Sequence, residues 1–99
     1  MPAQIIIDRE RIAEFCRMHH IAKLALFGSV LREDFRPDSD VDVLVWFAPG
    51  QRVTLFDMVG MEEELSDIIG RRVDFRTPED LSRYFRDQVV AQAEVQYAA

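Results

Sequence analysis

Ile12, Phe15, Cys16 and His19 recur at steps of three and four, the spacing of one helix face, and predict a short amphipathic helix over Arg9–Met18 with Asp8 at its cap. The compact apolar run Ile21 to Phe27, stopped by Gly28-Ser29, predicts a buried strand ending in a tight turn. Val30 to Asp34 has the length of one helical turn, and Arg36-Pro37-Asp38-Ser39 has the turn chemistry to end it. From Asp40 to Phe47, Val41, Val43 and Val45 alternate with Asp40, Asp42 and Leu44, so a strand places both aspartates on one face.

Beyond the loop Ala48-Pro49-Gly50-Gln51, the positions of Leu55, Met58, Val59, Met61, Leu65, Ile68 and Ile69 predict a long helix capped by Gly70. Arg71 to Arg76 reads as a third strand, with Val73 and Phe75 alternating with Arg72, Asp74 and Arg76. Thr77-Pro78 starts a closing helix whose buried stripe is expected to be Leu81, Tyr84, Phe85 and Val89. Glu94 to Tyr97 is short enough for either a last strand or a tail. The succession α, β, turn, β, α, β, α predicts an α/β (α+β) fold in a single domain over residues 1–99, with strand order and direction open.

Carboxylates inside a valine strand are unfavourable unless something pairs with them, which singles out Asp40 and Asp42. Asp38, Asp40 and Asp42 match the first, third and fifth positions of a calcium loop. The glycine that such a loop requires at its sixth position is Val43 here, and the glutamate required at its twelfth is Pro49. A Walker phosphate loop fails as well, because no Gly-Lys-Ser/Thr follows Gly28-Ser29. The remaining arrangement has two carboxylates bridging divalent ions while a glycine-serine turn takes terminal phosphates, as in two-metal phosphoryl and nucleotidyl transfer. A third acidic ligand suits such a site, and Asp74, on the polar side of its strand, is the best candidate; its alternative is a charge pair with Arg72 or Arg76.

Composition narrows the partners. Hydrophobic residues make up 48% and charged residues 30%, which suits a folded chain, and the net charge is -6. Residues 32–42 hold five carboxylates, Glu33, Asp34, Asp38, Asp40 and Asp42, against Arg32 and Arg36. That balance counts against autonomous nucleic-acid binding and suits metal cations or a basic protein. One cysteine, Cys16, excludes an intramolecular disulfide framework; no signal peptide or membrane span is visible, so a cytoplasmic location is expected. His19-His20 reads as a helix end, and Cys16 as core.

The run Gly28-Ser29, ten residues, Asp40-Val41-Asp42 resembles the signature of the nucleotidyltransferase superfamily that includes DNA polymerase beta. The wider stretch from Phe27 to Val45, with Thr54-Leu55-Phe56-Asp57 and Gly70-Arg71-Arg72-Val73-Asp74, resembles its minimal nucleotidyltransferase (MNT) branch over nearly the whole chain. The resemblance implies a small mixed sheet flanked by helices. It implies that Asp40 and Asp42 hold two Mg²⁺ ions, that Gly28 and Ser29 bind the terminal phosphates of ATP, and that Asp74 is the third carboxylate and metal ligand. It further implies AMP transfer to a hydroxyl, and, as in many MNT antitoxins, a tyrosine of a HEPN ribonuclease toxin held in a hetero-oligomer. Relatives often carry Arg-Gly where this chain has Arg32-Glu33, and an acid where it has Trp46. Two other functions stand beside this one: neutralisation by binding without transfer, and transfer to a small molecule or RNA.

Overall fold

Asp8 accepts a hydrogen bond from the Arg11 backbone N–H at 3.2 Å and opens helix α1, Arg9–Met18, in a computed structural model that describes residues 5–33 and 35–99. His19 ends the helix, and His20, at φ +57°, reverses the chain into strand β1, Ile21–Phe27. A 3₁₀ turn over Gly28–Leu31 follows, somewhat earlier than the helical turn expected over Val30 to Asp34; Asp34 itself lies outside the described residues. Strand β2, Val41–Phe47, begins one residue after Asp40.

Helix α2, Leu55–Ile69, is bounded as its sequence predicts. The Thr54 hydroxyl accepts from Asp57 N–H at 3.1 Å while the Asp57 carboxylate accepts from Thr54 N–H at 3.0 Å, and Gly70 closes the helix in the left-handed region at φ +78°. Strand β3 spans Val73–Arg76, helix α3 spans Arg86–Gln92 and strand β4 spans Glu94–Ala98, so the last segment is a strand.

The four strands form one sheet in the order β3-β2-β1-β4. β1 is antiparallel to both β2 and β4, whereas β2 and β3, joined across α2, run parallel, so the sheet is mixed. Ile12, Phe15 and Cys16 of α1 and Met61 and Leu65 of α2 pack on Leu24, Leu26, Val41, Val43, Val45, Val73 and Phe75 to make the core. Ala25 and Leu44, register partners, are fully buried outside that cluster, where α3 touches β1 and a 3₁₀ turn over Pro78–Asp80 touches β2. Cys16 belongs to the core, and burial pushes its thiol up to about 12 despite the opposing charge of Arg17.

β3 lies at a sheet edge, and its outward N–H groups are taken by side chains of α2. Val73 N–H donates to Ser66 Oγ and Phe75 N–H to Glu62 Oε2, each at 3.0 Å. The edge is thereby closed to further strand pairing without a fifth strand.

The closing helix differs from its expected form. Thr77 and Asp80 do form a capping box, but the turn they start is only the 3₁₀ segment Pro78–Asp80, and Leu81 is extended. The Ser82 hydroxyl then accepts from Tyr84 N–H at 3.3 Å, and Arg86 Nη2 donates to Leu81 O at 2.9 Å, which stabilises the interruption. Tyr84 is 84% exposed and Phe85 52%, so the expected stripe is not buried; helical spacing without a continuous helix puts no residues on a common face.

Leu65, fully buried between α2 and the sheet, tests this packing. Leu65→Ala is expected to lower unfolding free energy by about 2 to 5 kcal/mol, read from urea melts with an unchanged m-value.

Candidate active site

Strand alternation decides which way the carboxylates point. Because Val41, Val43 and Val45 enter the core, Asp42 points out of the opposite face. Asp74 is its register partner in the parallel β2–β3 pair, and Phe27 is its partner in the antiparallel β1–β2 pair. Neighbouring strands lie about 4.8 Å apart, so Asp42 and Asp74 are adjacent on one surface. Asp40 is exposed at the mouth of β2, anchored by the bond from Val41 N–H to Arg72 O at 2.8 Å.

The Gly28 turn closes over this surface. Gly28 adopts φ +75°, and a Cβ placed on it would collide with Asp42 Oδ2 and stand 3.2 Å from Asp42 Cγ. Glycine is therefore required twice at this position, for its backbone conformation and for the approach of the Asp42 carboxylate. Ser29 follows in the 3₁₀ turn, whose end is secured by Arg32 N–H donating to Ser29 O at 2.9 Å. The structure thus brings Gly28, Asp42 and Asp74 side by side, with Ser29 and Asp40 at the adjoining ends of the 3₁₀ turn and β2.

Electrostatics match that crowding. Burial, then Asp74, then Asp40 push the Asp42 carboxyl up from 3.8 to about 6, against the opposing pull of Arg76 and Arg32. Asp74 also meets Arg76, whose Nε lies 3.2 Å from each of its carboxylate oxygens. With both side chains over a third exposed, this ion pair contributes no more than about 1 kcal/mol and opens readily for a stronger cation. Asp74 thus neighbours Asp42 and also makes the charge pair with Arg76 that was the alternative to its reading as a ligand. Among the described residues no three acidic, imidazole or thiol groups converge closely enough to enclose an ion as they stand. The donor set still fits a hard divalent cation, because it is all carboxylate and the charged form of its central member is disfavoured first by burial and then by the negative charge of its neighbours.

Several contributors carry no sequence motif. Arg71 Nη2 donates to Arg36 O at 2.6 Å and to Ser39 O at 3.3 Å, and its guanidinium lies over the Phe35 ring at 4.4 Å. It clamps the turn that delivers Asp40. Glu62, through Phe75 N–H, fixes the strand that delivers Asp74. His19 stands apart from the site, its Nε2 within 3.2 Å of Glu64 Oε1, joining α1 to α2. Trp46 lies beneath Lys23 Nζ at 4.6 Å on the β1–β2 surface.

The family profile for the nucleotidyltransferase domain matches residues 9–96. A Methanocaldococcus jannaschii protein to which protein adenylyltransferase activity is ascribed is 28% identical over 85 residues, covering 86% of this chain and 89% of its own length. The protein adenylyltransferase MntA of Thermococcus cleftensis is 37% identical over 54 residues, 54% of this chain and 52% of that one. Among solved structures, one described as a minimal nucleotidyltransferase is similar at a TM-score of 0.70 and 36% identity, covering 86% of this chain and 85% of that one. A toxin–antitoxin pair with AMP-PNP has the same fold, at a TM-score of 0.74 and 19% identity over 94% of this chain and 75% of that one. So does a complex of tri-AMPylated Shewanella oneidensis HEPN toxin with MNT antitoxin, at 0.66 and 19% over 92% and 70%.

The raised Asp42 carboxyl sets a pH dependence. Its folded-state value of about 6 exceeds the ordinary 3.8, so the protonated form favours folding: that contribution is complete below about pH 4 and is lost as pH rises through 6. Asp42→Asn is expected to raise the melting temperature of the metal-free protein at pH 7.5 and to leave it nearly unchanged at pH 4, measured by circular dichroism in EDTA. For the clamp, Arg71→Ala is expected to speed amide hydrogen exchange at Ser39 by about tenfold, the worth of one charge-assisted hydrogen bond, and Arg71→Lys not to restore protection.

Proposed function

The chain belongs to the nucleotidyltransferase domain family, and from that premise we propose that it is an Mg²⁺-dependent protein adenylyltransferase. In this reading it moves AMP from ATP to a hydroxyl, a tyrosine's, on a partner HEPN-type toxin in a hetero-oligomer, and so acts as an antitoxin in the cytoplasm. The observation that carries the reading is the register pairing of Asp42 with Asp74 beside the side-chain-free Gly28. Three carboxylates repelling one another beside a glycine turn make chemical sense as a seat for a cation and the phosphates it carries. The relatives bearing protein adenylyltransferase names, and the fold neighbours holding AMP-PNP or an AMPylated HEPN toxin, support the choice of donor and acceptor.

Each residue has a part. Asp40, Asp42 and Asp74 are the residues to hold two Mg²⁺ ions, and Gly28 and Ser29 the terminal phosphates. Bound there, Mg²⁺ would offset the charge that develops on the phosphate oxygens. The acceptor oxygen attacks the α-phosphorus, the bond from that phosphorus to the bridging oxygen breaks, and pyrophosphate leaves. Asp74, at the sheet edge, takes the hydroxyl proton once its pairing with Arg76 opens. A cleft of about 710 Å³ borders Asp40 and Asp74 and is lined also by Glu62, Glu63, Asp67 and Arg72. Its excess of carboxylates, with the net charge of -6, complements a basic acceptor segment.

Incubation with α-labelled ATP, Mg²⁺ and the HEPN product of a neighbouring gene tests the reading. Label is expected on the partner protein, with AMP on a tyrosine by mass spectrometry, and Asp40→Ala with Asp42→Ala is expected to lower transfer by at least about 10³-fold. A double variant that still neutralises the partner fully would replace transfer by occlusion. Label on a small molecule or RNA would remove the antitoxin role.

A further inference from the structure

Two clefts flank the carboxylates, and their walls differ in chemistry. The one bordering Asp40 and Asp74 is acidic, as described above. The other, about 710 Å³, lies between the Gly28 turn and α3 and is lined by Phe27, Gly28, Leu31, Arg32, Val89 and Gln92. Phe27 is the register partner of Asp42, and direct partners in an antiparallel pair share a face, so this cavity opens on the same face as the carboxylates. Its volume falls within the range of about 300 to 1,000 Å³ typical of small-molecule sites.

We propose that this cavity takes the nucleoside of the nucleoside triphosphate and that Gln92 reads the base; the inference rests on the transfer reading above and deepens it. A nucleobase has apolar aromatic faces and a hydrogen-bonding edge. Phe27, Leu31 and Val89 supply apolar and aromatic wall for the faces, and Gln92 supplies one amide able both to donate and to accept. The acidic cleft offers no aromatic wall, and its carboxylates beyond the proposed metal ligands, Glu62, Glu63 and Asp67, give a base edge acceptors with little apolar surface for its faces. With the phosphates at Gly28 and Ser29, the cavity whose rim includes Gly28 is the one within reach of the ribose and base. A glutamine amide pairs in bidentate fashion with adenine, accepting from N6 and donating to a ring nitrogen, whereas guanine presents an acceptor at the corresponding position. The cavity therefore favours ATP over GTP, and α3, not the carboxylate motif, sets the base.

Calorimetry on the full chain with Mg²⁺ and ATP, GTP or inorganic tripolyphosphate separates the two parts of the site. Val89→Trp, which fills the cavity, is expected to weaken ATP by at least about tenfold while tripolyphosphate binds as before; Gln92→Ala, at an exposed position that folding does not depend on, is expected to reduce the ATP preference over GTP by about tenfold. ATP affinity and base preference unchanged in Gln92→Ala, with ATP undiminished in Val89→Trp, would overturn the inference while leaving the transfer reading intact. Wild-type protein that binds neither ATP nor tripolyphosphate would overturn the transfer reading, and this inference with it.

Discussion

The phase of β2 governs the rest of the molecule. Val41, Val43 and Val45 are fully buried, and each contributes about 1.5 to 3 kcal/mol of hydrophobic burial. That phase leaves Asp42 no choice of face, although its carboxyl is pushed from 3.8 to about 6 by desolvation and by the charges of Asp74 and Asp40. The cost of holding Asp42 ionised is at most about 3 kcal/mol and less once solvent screening is counted, so three valines outweigh one strained aspartate. A shift of one residue would expose the valines and drive Asp42 into the apolar core, so no other phase is available to the strand.

Around that strand, polar side chains from distant positions fix the neighbouring groups. α2 takes the free N–H groups of β3 on Ser66 and Glu62 and so holds Asp74 level with Asp42. Arg71, just past the Gly70 cap, bonds two carbonyls of the 36–39 turn and stacks on Phe35, which steadies the approach to Asp40. The absence of a Cβ at Gly28 admits Asp42 to the turn. Each contact is modest alone, yet together they position Asp40, Asp42 and Asp74 from the sheet, from α2 and from the turns beside them.

Much of this architecture is legible in one dimension. The periodicities of α1, α2, β1, β2 and β3, the Asp8 and Thr54 caps and the Gly70 stop need only neighbouring residues to declare themselves, and the structure places them within a few residues of their expected bounds. The closing helix was not legible in that way. Leu81, Tyr84, Phe85 and Val89 have helical spacing, but Thr77 N–H donates to the Asp80 carboxylate, Tyr84 N–H to the Ser82 hydroxyl and Arg86 Nη2 to Leu81 O, and the segment breaks into a 3₁₀ turn and a shorter helix. Arg71 and Glu62 were equally hidden, since each acts on a partner reached only after folding, and no local pattern marks an arginine as a clamp; the Arg76 pair with Asp74, two residues apart on one strand face, was legible.

The sequence by itself determined where the candidate groups lie and which way Asp42 faces: glycine-serine after an apolar strand, and an aspartate out of phase with valines, follow from spacing and the two-residue period of a strand. It also determined that the chain folds around an α/β core, through hydrophobic patterning alone. Only the tertiary structure decided that Asp74 stands beside Asp42, because that depends on β3 pairing parallel to β2 after the α2 crossover. Likewise, only the placement of α3 beside the Gly28 turn forms the second cavity, whose walls differ from those of the acidic cleft along α2 and β3. The physical reason is range: dihedral preference and periodicity act between near neighbours, whereas register, charge coupling and cavity walls are set by residues that folding alone brings together.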